Sequence, residues 1–183
     1  MAAYVALLRG INVGGKNPIS MQTLADCFRD AGYEEVRTHL QSGNVLFASG
    51  SRSGARLEQA LERMLQQRFD TAIPTIVRSR DELRATVAAA PDDHGSKKLR
   101  SDVFFLKRPL TADAVMEQMP ELRDGVDSIT PGPGALYFSR TVAQATKTRI
   151  TRLMSMPIFQ QMTVRSWRTT TRLLELLDEN EPR

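Results

Sequence analysis

One cysteine, Cys27, stands in a chain of 183 residues, so no disulfide can form within it. A lone thiol fits a reducing compartment. Histidine is nearly as scarce: His39 and His94 are the two, far apart in sequence. That is poor material for a Cys/His zinc site, and no metal site is expected. No apolar run approaches the roughly 20 residues needed to span a bilayer. The apolar start, Tyr4 to Leu8, is too short for a signal sequence and has no basic residue before it. No lipidation motif is visible at either end. The expectation is a cytoplasmic protein with no membrane partner and no cofactor.

Acid is missing from one long stretch. Between Ser128 and Leu174 there is no Asp or Glu, while Arg140, Lys147, Arg149, Arg152, Arg165, Arg168 and Arg172 all fall there. Net charge over the whole chain is +4. The local excess suits an anionic partner; a solvated basic face is the plainer reading of the same residues. Hydrophobic residues at 41% and charged residues at 25% are ordinary for a globular chain that buries a core.

What is present comes twice. Tyr4 to Leu8, closed by glycines, predicts a buried strand. Ser20 is a good N-cap. Leu24, Cys27, Phe28 and Ala31 then recur at helical spacing, and Gly32 suits the position after a helix. Cys27 therefore reads as a small core residue rather than a nucleophile. Residues 36–40 and 45–48 flank Ser42-Gly43 as a hairpin. Leu57, Leu61, Leu65 and Phe69 mark a second amphipathic helix, and 74–78 a fourth strand. Ser79 and Glu82 form a capping box that opens a third helix.

Residues 91–100 are polar and turn-rich, and read as a linker. His39 falls on a strand and His94 in the linker, and plain exposure accounts for both. From 101 the order begins again. A strand is predicted over 102–106, a helix over 112–119, and paired strands over 127–130 and 135–139. A helix over 147–156, a strand over 162–164 and a closing helix over 169–177 follow. Each last strand runs into Val-Arg-Ser, at Val77-Arg78-Ser79 and at Val164-Arg165-Ser166. The expected fold is α+β: two tandem ferredoxin-like βαββαβ units, each followed by a helix. The lobes are placed at 1–90 and 101–183.

The first candidate site is Arg9-Gly10-Ile11-Asn12-Val13-Gly14-Gly15-Lys16-Asn17. Glycines let backbone N–H groups line a loop, and such loops bind anions. They also serve any wide connection that needs positive φ. Gly10 to Lys16 spells G-x-x-x-x-G-K, yet Asn17 and Pro18 stand where a P-loop needs Ser or Thr. The second candidate is Gln41-Ser42-Gly43-Asn44, which also suits a tight turn. In a ferredoxin-like sheet the first and third strands are antiparallel neighbours. That topology brings both segments to one edge. The anion-binding candidates are Arg9, Gly10, Asn12, Gly14, Gly15, Lys16, Gln41, Ser42 and Asn44. A secondary basic set is Arg149, Arg165, Trp167 and Arg168. Trp167 suits either stacking on a base or anchoring the last helix. The glycine-aromatic pattern of an RNA-recognition module is absent from the two central strands.

Arg9-Gly10-Ile11-Asn12-Val13-Gly14-Gly15, Met21, Leu24 and Gln41-Ser42-Gly43-Asn44-Val45 resemble the family called domain of unknown function 1697. Arg165-Ser166-Trp167-Arg168-Thr169 resembles its C-terminal Arg-Asn-Trp motif. The chain departs from the pattern at Ser166, where Asn is usual, and at Ser20, where Lys is frequent. The resemblance implies a compact two-lobed α+β fold and no established activity. The function expected is binding of an anionic ligand at the glycine loop: a phosphorylated small molecule, a nucleotide or nucleic acid. Two other readings stay open. One is an enzyme using the Arg9, Asn12, Gln41 and Asn44 edge, a set with no general base at neutral pH. The other is a structural or protein-interaction role.

Overall fold

A computed structural model of the chain describes residues 1–179. The chain divides into two compact units. The first is Met1–Leu83 with the chain from Leu173 on, and the second is Arg84–Arg172. No helix among the described residues is long and apolar enough to cross a membrane.

In the first unit, alternation along β1 (Ala2–Leu8) puts Tyr4, Ala6 and Leu8 on one sheet face. There they meet Leu24 and Phe28 of α1 (Met21–Asp30). Val36 of β2 (Glu34–His39) and Val45 and Phe47 of β3 (Asn44–Ser49) join the same core. Leu57, Leu61 and Leu65 of α2 (Gly54–Phe69) complete it. Cys27 is buried in this cluster, as the helical spacing predicts. Ser20 caps α1 by accepting the Thr23 N–H at 3.0 Å. With β4 (Thr75–Ser79) the sheet order is β2-β3-β1-β4, and each neighbouring pair is antiparallel. The capping box also forms. Ser79 N–H reaches Glu82 Oε2 at 2.8 Å and Glu82 N–H reaches Ser79 Oγ at 3.2 Å, opening α3 (Arg80–Ala88).

Strand β4 lies at the edge of its sheet, so alternate N–H groups have no strand to meet. Two glutamates of α2 meet them instead. Glu58 Oε1 accepts the Val77 N–H at 3.0 Å, and Glu62 Oε1 accepts the Thr75 N–H at 2.9 Å. Glu58 also lies 3.7 Å from Arg78 Nη1, and both side chains are buried.

The second unit repeats the plan. β5 (Leu99–Leu106), α4 (Ala112–Glu117), β6 (Asp127–Gly132) and β7 (Ala135–Thr141) are followed by α5 (Thr151–Met154) and β8 (Met162–Ser166). The sheet order β6-β7-β5-β8 is that of the first sheet with each strand replaced by its counterpart. The register repeats too. Val5 pairs with Arg78 and Tyr4 with Ser79; Val103 pairs with Arg165 and Asp102 with Ser166. The two Val-Arg-Ser segments are thus structural counterparts. Each buried arginine donates from Nη1 to the carbonyl of the valine before it, at 2.9 Å. The chain is a tandem α+β duplication, and α6 (Trp167–Glu179) closes it.

One predicted element is much reduced. The helix expected over 147–156 survives as the four residues of α5, between 3-10 stretches at Val142–Lys147 and Pro157–Gln161. The cause is Asp127 at the start of β6. Thr148 Oγ1 donates to Asp127 Oδ1, and Arg149 N–H donates to Asp127 Oδ2 at 2.8 Å. These bonds hold Thr148 at ψ 147°, outside the helical region. Burial raises the Asp127 carboxyl, but its hydrogen bonds from Thr148, Arg149 and Arg123 outweigh that and keep it below the usual carboxylate range.

Candidate functional site

Where β1 ends, the glycine-rich segment folds back on itself. Leu8 N–H bonds Gly43 O and Arg9 N–H bonds Pro74 O, each at 2.9 Å. These tie the loop to the β2–β3 turn on one side and to the start of β4 on the other. Lys16 N–H reaches Val13 O at 3.0 Å, closing a two-residue turn with Gly14 at φ +57° and Gly15 at φ +74°. A turn with two positive φ values accepts glycine at both positions with little strain. Asn17 Nδ2 donates to Gly10 O at 3.1 Å, so the residue in the Ser/Thr position of a P-loop serves the loop's own backbone. α1 begins at Met21, well past the glycines.

Asn12 joins the two candidate segments. Its Oδ1 accepts the Ile19 N–H at 2.7 Å, and its Nδ2 donates to Ile19 O at 2.9 Å and to Gln41 O at 2.8 Å. Beneath it, buried Ile11 packs under Gly43. A Cβ on Gly43 would fall 2.6 Å from Ile11 Cδ1. Asn44 is fully buried, and its Nδ2 donates to His39 O at 2.7 Å and Ser42 Oγ at 3.2 Å. So Asn12 and Asn44 hold the edge together. Gly10, Gly14, Gly15, Lys16, Gln41 and Ser42 lie exposed on it, with Arg9 half-buried beside them. The N–H groups of Gly14 and Gly15 have no protein acceptor among the described residues. Two apolar side chains also stand out from this edge, Val13 at 62% and Leu40 at 53% exposure.

The secondary basic set lies in the second unit, and its members are not equivalent. Arg165 is buried, and burial pulls its guanidinium down to about 10. Its Nη1 donates to Thr163 Oγ1 at 2.8 Å as well as to Val164 O. Trp167 opens α6 and packs edge-on against His94, with ring centroids 4.8 Å apart, over Gly95, where a Cβ would fall 2.3 Å from Trp167 Cδ1. Arg168 is exposed. Arg149 Nη1 lies 3.5 Å from Glu121, which also sits 3.9 Å from Arg152. The acid-free stretch of the sequence therefore meets acids in space: Glu121 and Asp127 come from just before it.

His94 is a correction. Plain exposure is the expectation from sequence, yet it is only 8% exposed. Its Nδ1 lies 3.0 Å from Ser139 Oγ, which lies 2.9 Å from Ser101 Oγ, which accepts the Gly95 N–H at 2.9 Å. Ser101 and Ser139 face each other in the β5–β7 register, a signal available once those strands are aligned. Nothing local in the sequence points to His94. Burial lowers the His94 pKa, only partly offset by Asp93 and the Asp102 backbone. The unfolded chain then takes up this proton first as pH falls. His94 should contribute stability above about pH 6.5 that is lost as pH drops below it. Melting temperature followed from pH 8 to pH 5 checks this. The decline should be shallower in His94→Gln, and an identical decline in both proteins would refute it.

Residues 1–137 match the family model described as Protein of unknown function (DUF1697), so the chain belongs to that family. No curated protein matches it. Among solved structures it is similar to a conserved bacterial protein from Streptococcus pneumoniae, with 25% identity and a TM-score of 0.86 over 96% of this chain and 98% of that one.

Proposed function

We infer that this member of the family binds an anionic ligand, a phosphorylated small molecule or a nucleotide, on the edge where the Arg9–Lys16 loop meets Gln41 and Ser42. The observation that carries the reading is the Asn12 clasp. One side chain joins segments 29 residues apart and leaves their polar groups facing outward. Arg9 and Lys16 supply the charge. The N–H groups of Gly14 and Gly15, with Gln41 and Ser42, supply hydrogen-bond donors. This outward set contains no general base at neutral pH, which favours binding over catalysis. Asn12 and Asn44 belong to the scaffold of such a site rather than to its contact surface.

A thermal-shift panel of inorganic phosphate, nucleotides and sugar phosphates tests the reading. A ligand present at 100 times its Kd stabilises by about 2.7 kcal/mol, which a melting curve resolves easily. At least one compound should raise the melting temperature of the wild type, and the Arg9→Ala/Lys16→Ala double variant should lose that rise. A rise that persists in the variant would place the ligand elsewhere, and no rise with any compound would count against the reading.

A further inference from the structure

The acids and the arginines of α2 face different ways. Glu58 and Glu62 turn toward β4 and accept the N–H groups of Val77 and Thr75. The outward face carries Arg56, Gln59, Arg63, Gln66 and Gln67, all exposed, and exposed Arg52 lies just before the helix. Spacings of three, four and seven put Arg56, Gln59, Arg63, Gln66 and Gln67 in one stripe of the helix. None of Arg52, Arg56 and Arg63 has a carboxylate within ion-pair distance among the described residues. The stripe is cationic because the sheet edge draws the helix's acids to its other side. Asp70, just past the helix end, bounds it.

We propose that this face of α2 docks on the phosphate backbone of nucleic acid, duplex in preference to single strand. Arg56 to Gln67 spans about 16 Å at the helical rise, a straight row against a straight polyanion. Guanidinium groups take phosphate oxygens in pairs, and the glutamine amides add donors between them. No aromatic side chain lies on the face, so it offers no platform for unstacked bases. It also exposes no large apolar residue to enter a bilayer, which argues against a lipid surface. Phosphate binding of this kind positions a duplex without reading its sequence. The proposal stands apart from the loop-edge reading, because none of its residues belongs to that edge.

Fluorescence anisotropy of a labelled duplex oligonucleotide against rising KCl tests it, on the full chain. The wild type should bind at low salt regardless of sequence. Arg56→Gln/Arg63→Gln should lower the slope of log affinity against log salt by about 1.8, at about 0.9 for each phosphate no longer neutralised. Arg56→Lys/Arg63→Lys should keep the slope. Arg29→Gln, on α1 and paired with Asp26, should leave it unchanged. Circular dichroism guards against misfolding of the variants. No duplex binding at low salt, or an unchanged slope in Arg56→Gln/Arg63→Gln, would overturn the proposal. So would binding of phosphatidylserine vesicles, or of single strands alone, with the same dependence on Arg56 and Arg63.

Discussion

Glu58→Ala should destabilise the protein by about 3–5 kcal/mol, the range for removing one partner of a buried ion pair. Glu58 sits at a junction. Its Oε1 accepts the Val77 N–H at 3.0 Å and lies 3.7 Å from Arg78 Nη1, and both side chains are buried. Truncation removes the acceptor for an edge-strand N–H and takes a carboxylate from beside a buried guanidinium. Glu58→Gln keeps an oxygen for the Val77 N–H and loses the charge, so the difference between the two variants isolates the amide's share. Urea denaturation measures both. A loss under about 1 kcal/mol for Glu58→Ala would mean that the carboxylate is not what secures β4.

Asn12→Ala should cost about 2 kcal/mol, from three hydrogen bonds of about 1 kcal/mol each, discounted because the site is partly exposed. Lys16→Ala, four residues along and exposed, should stay within about 0.5 kcal/mol. That contrast separates scaffold from surface within one loop. Asn12→Asp is informative as well. It keeps the acceptor for the Ile19 N–H but sets a carboxylate oxygen against the Ile19 and Gln41 carbonyls, so it should cost at least as much as alanine. An Asn12→Ala variant as stable as the wild type would undo the clasp and leave the two segments independent.

The sheets are legible in the sequence because period-two patterns and turn residues are local signals. β1, β3, β5 and β7 all fall where those signals place them, and the ferredoxin-like order follows from topology rules. The capping box at Ser79 and Glu82 forms as its spacing implies. The repeated Val-Arg-Ser marks equivalent register positions. The shortening of the helix before β8 is not legible, because Asp127 acts from 21 and 22 residues away on Thr148 and Arg149. Periodicity cannot see such a competitor. The meeting of the glycine loop with the Gln41 turn is legible from topology alone. What Asn12 and Asn44 do there is not, since an asparagine in a loop looks the same whether it faces a ligand or a carbonyl. The basic stretch misleads in another way. Charge counted along the chain misses Glu121, which pairs with Arg149 and Arg152 across space. The arginines of α2 stay hidden for the opposite reason, because their acids intervene in sequence and not on the surface.

Amide NMR shifts followed while titrating inorganic phosphate, and then a nucleoside monophosphate, test the loop edge most directly. The shifts that saturate should cluster in residues 9–17 and 40–44, with Gly14, Gly15 and Lys16 among the largest, and should vanish in the Arg9→Ala/Lys16→Ala variant. Saturable shifts centred elsewhere, or no saturable shift on that edge with either titrant, would contradict the account.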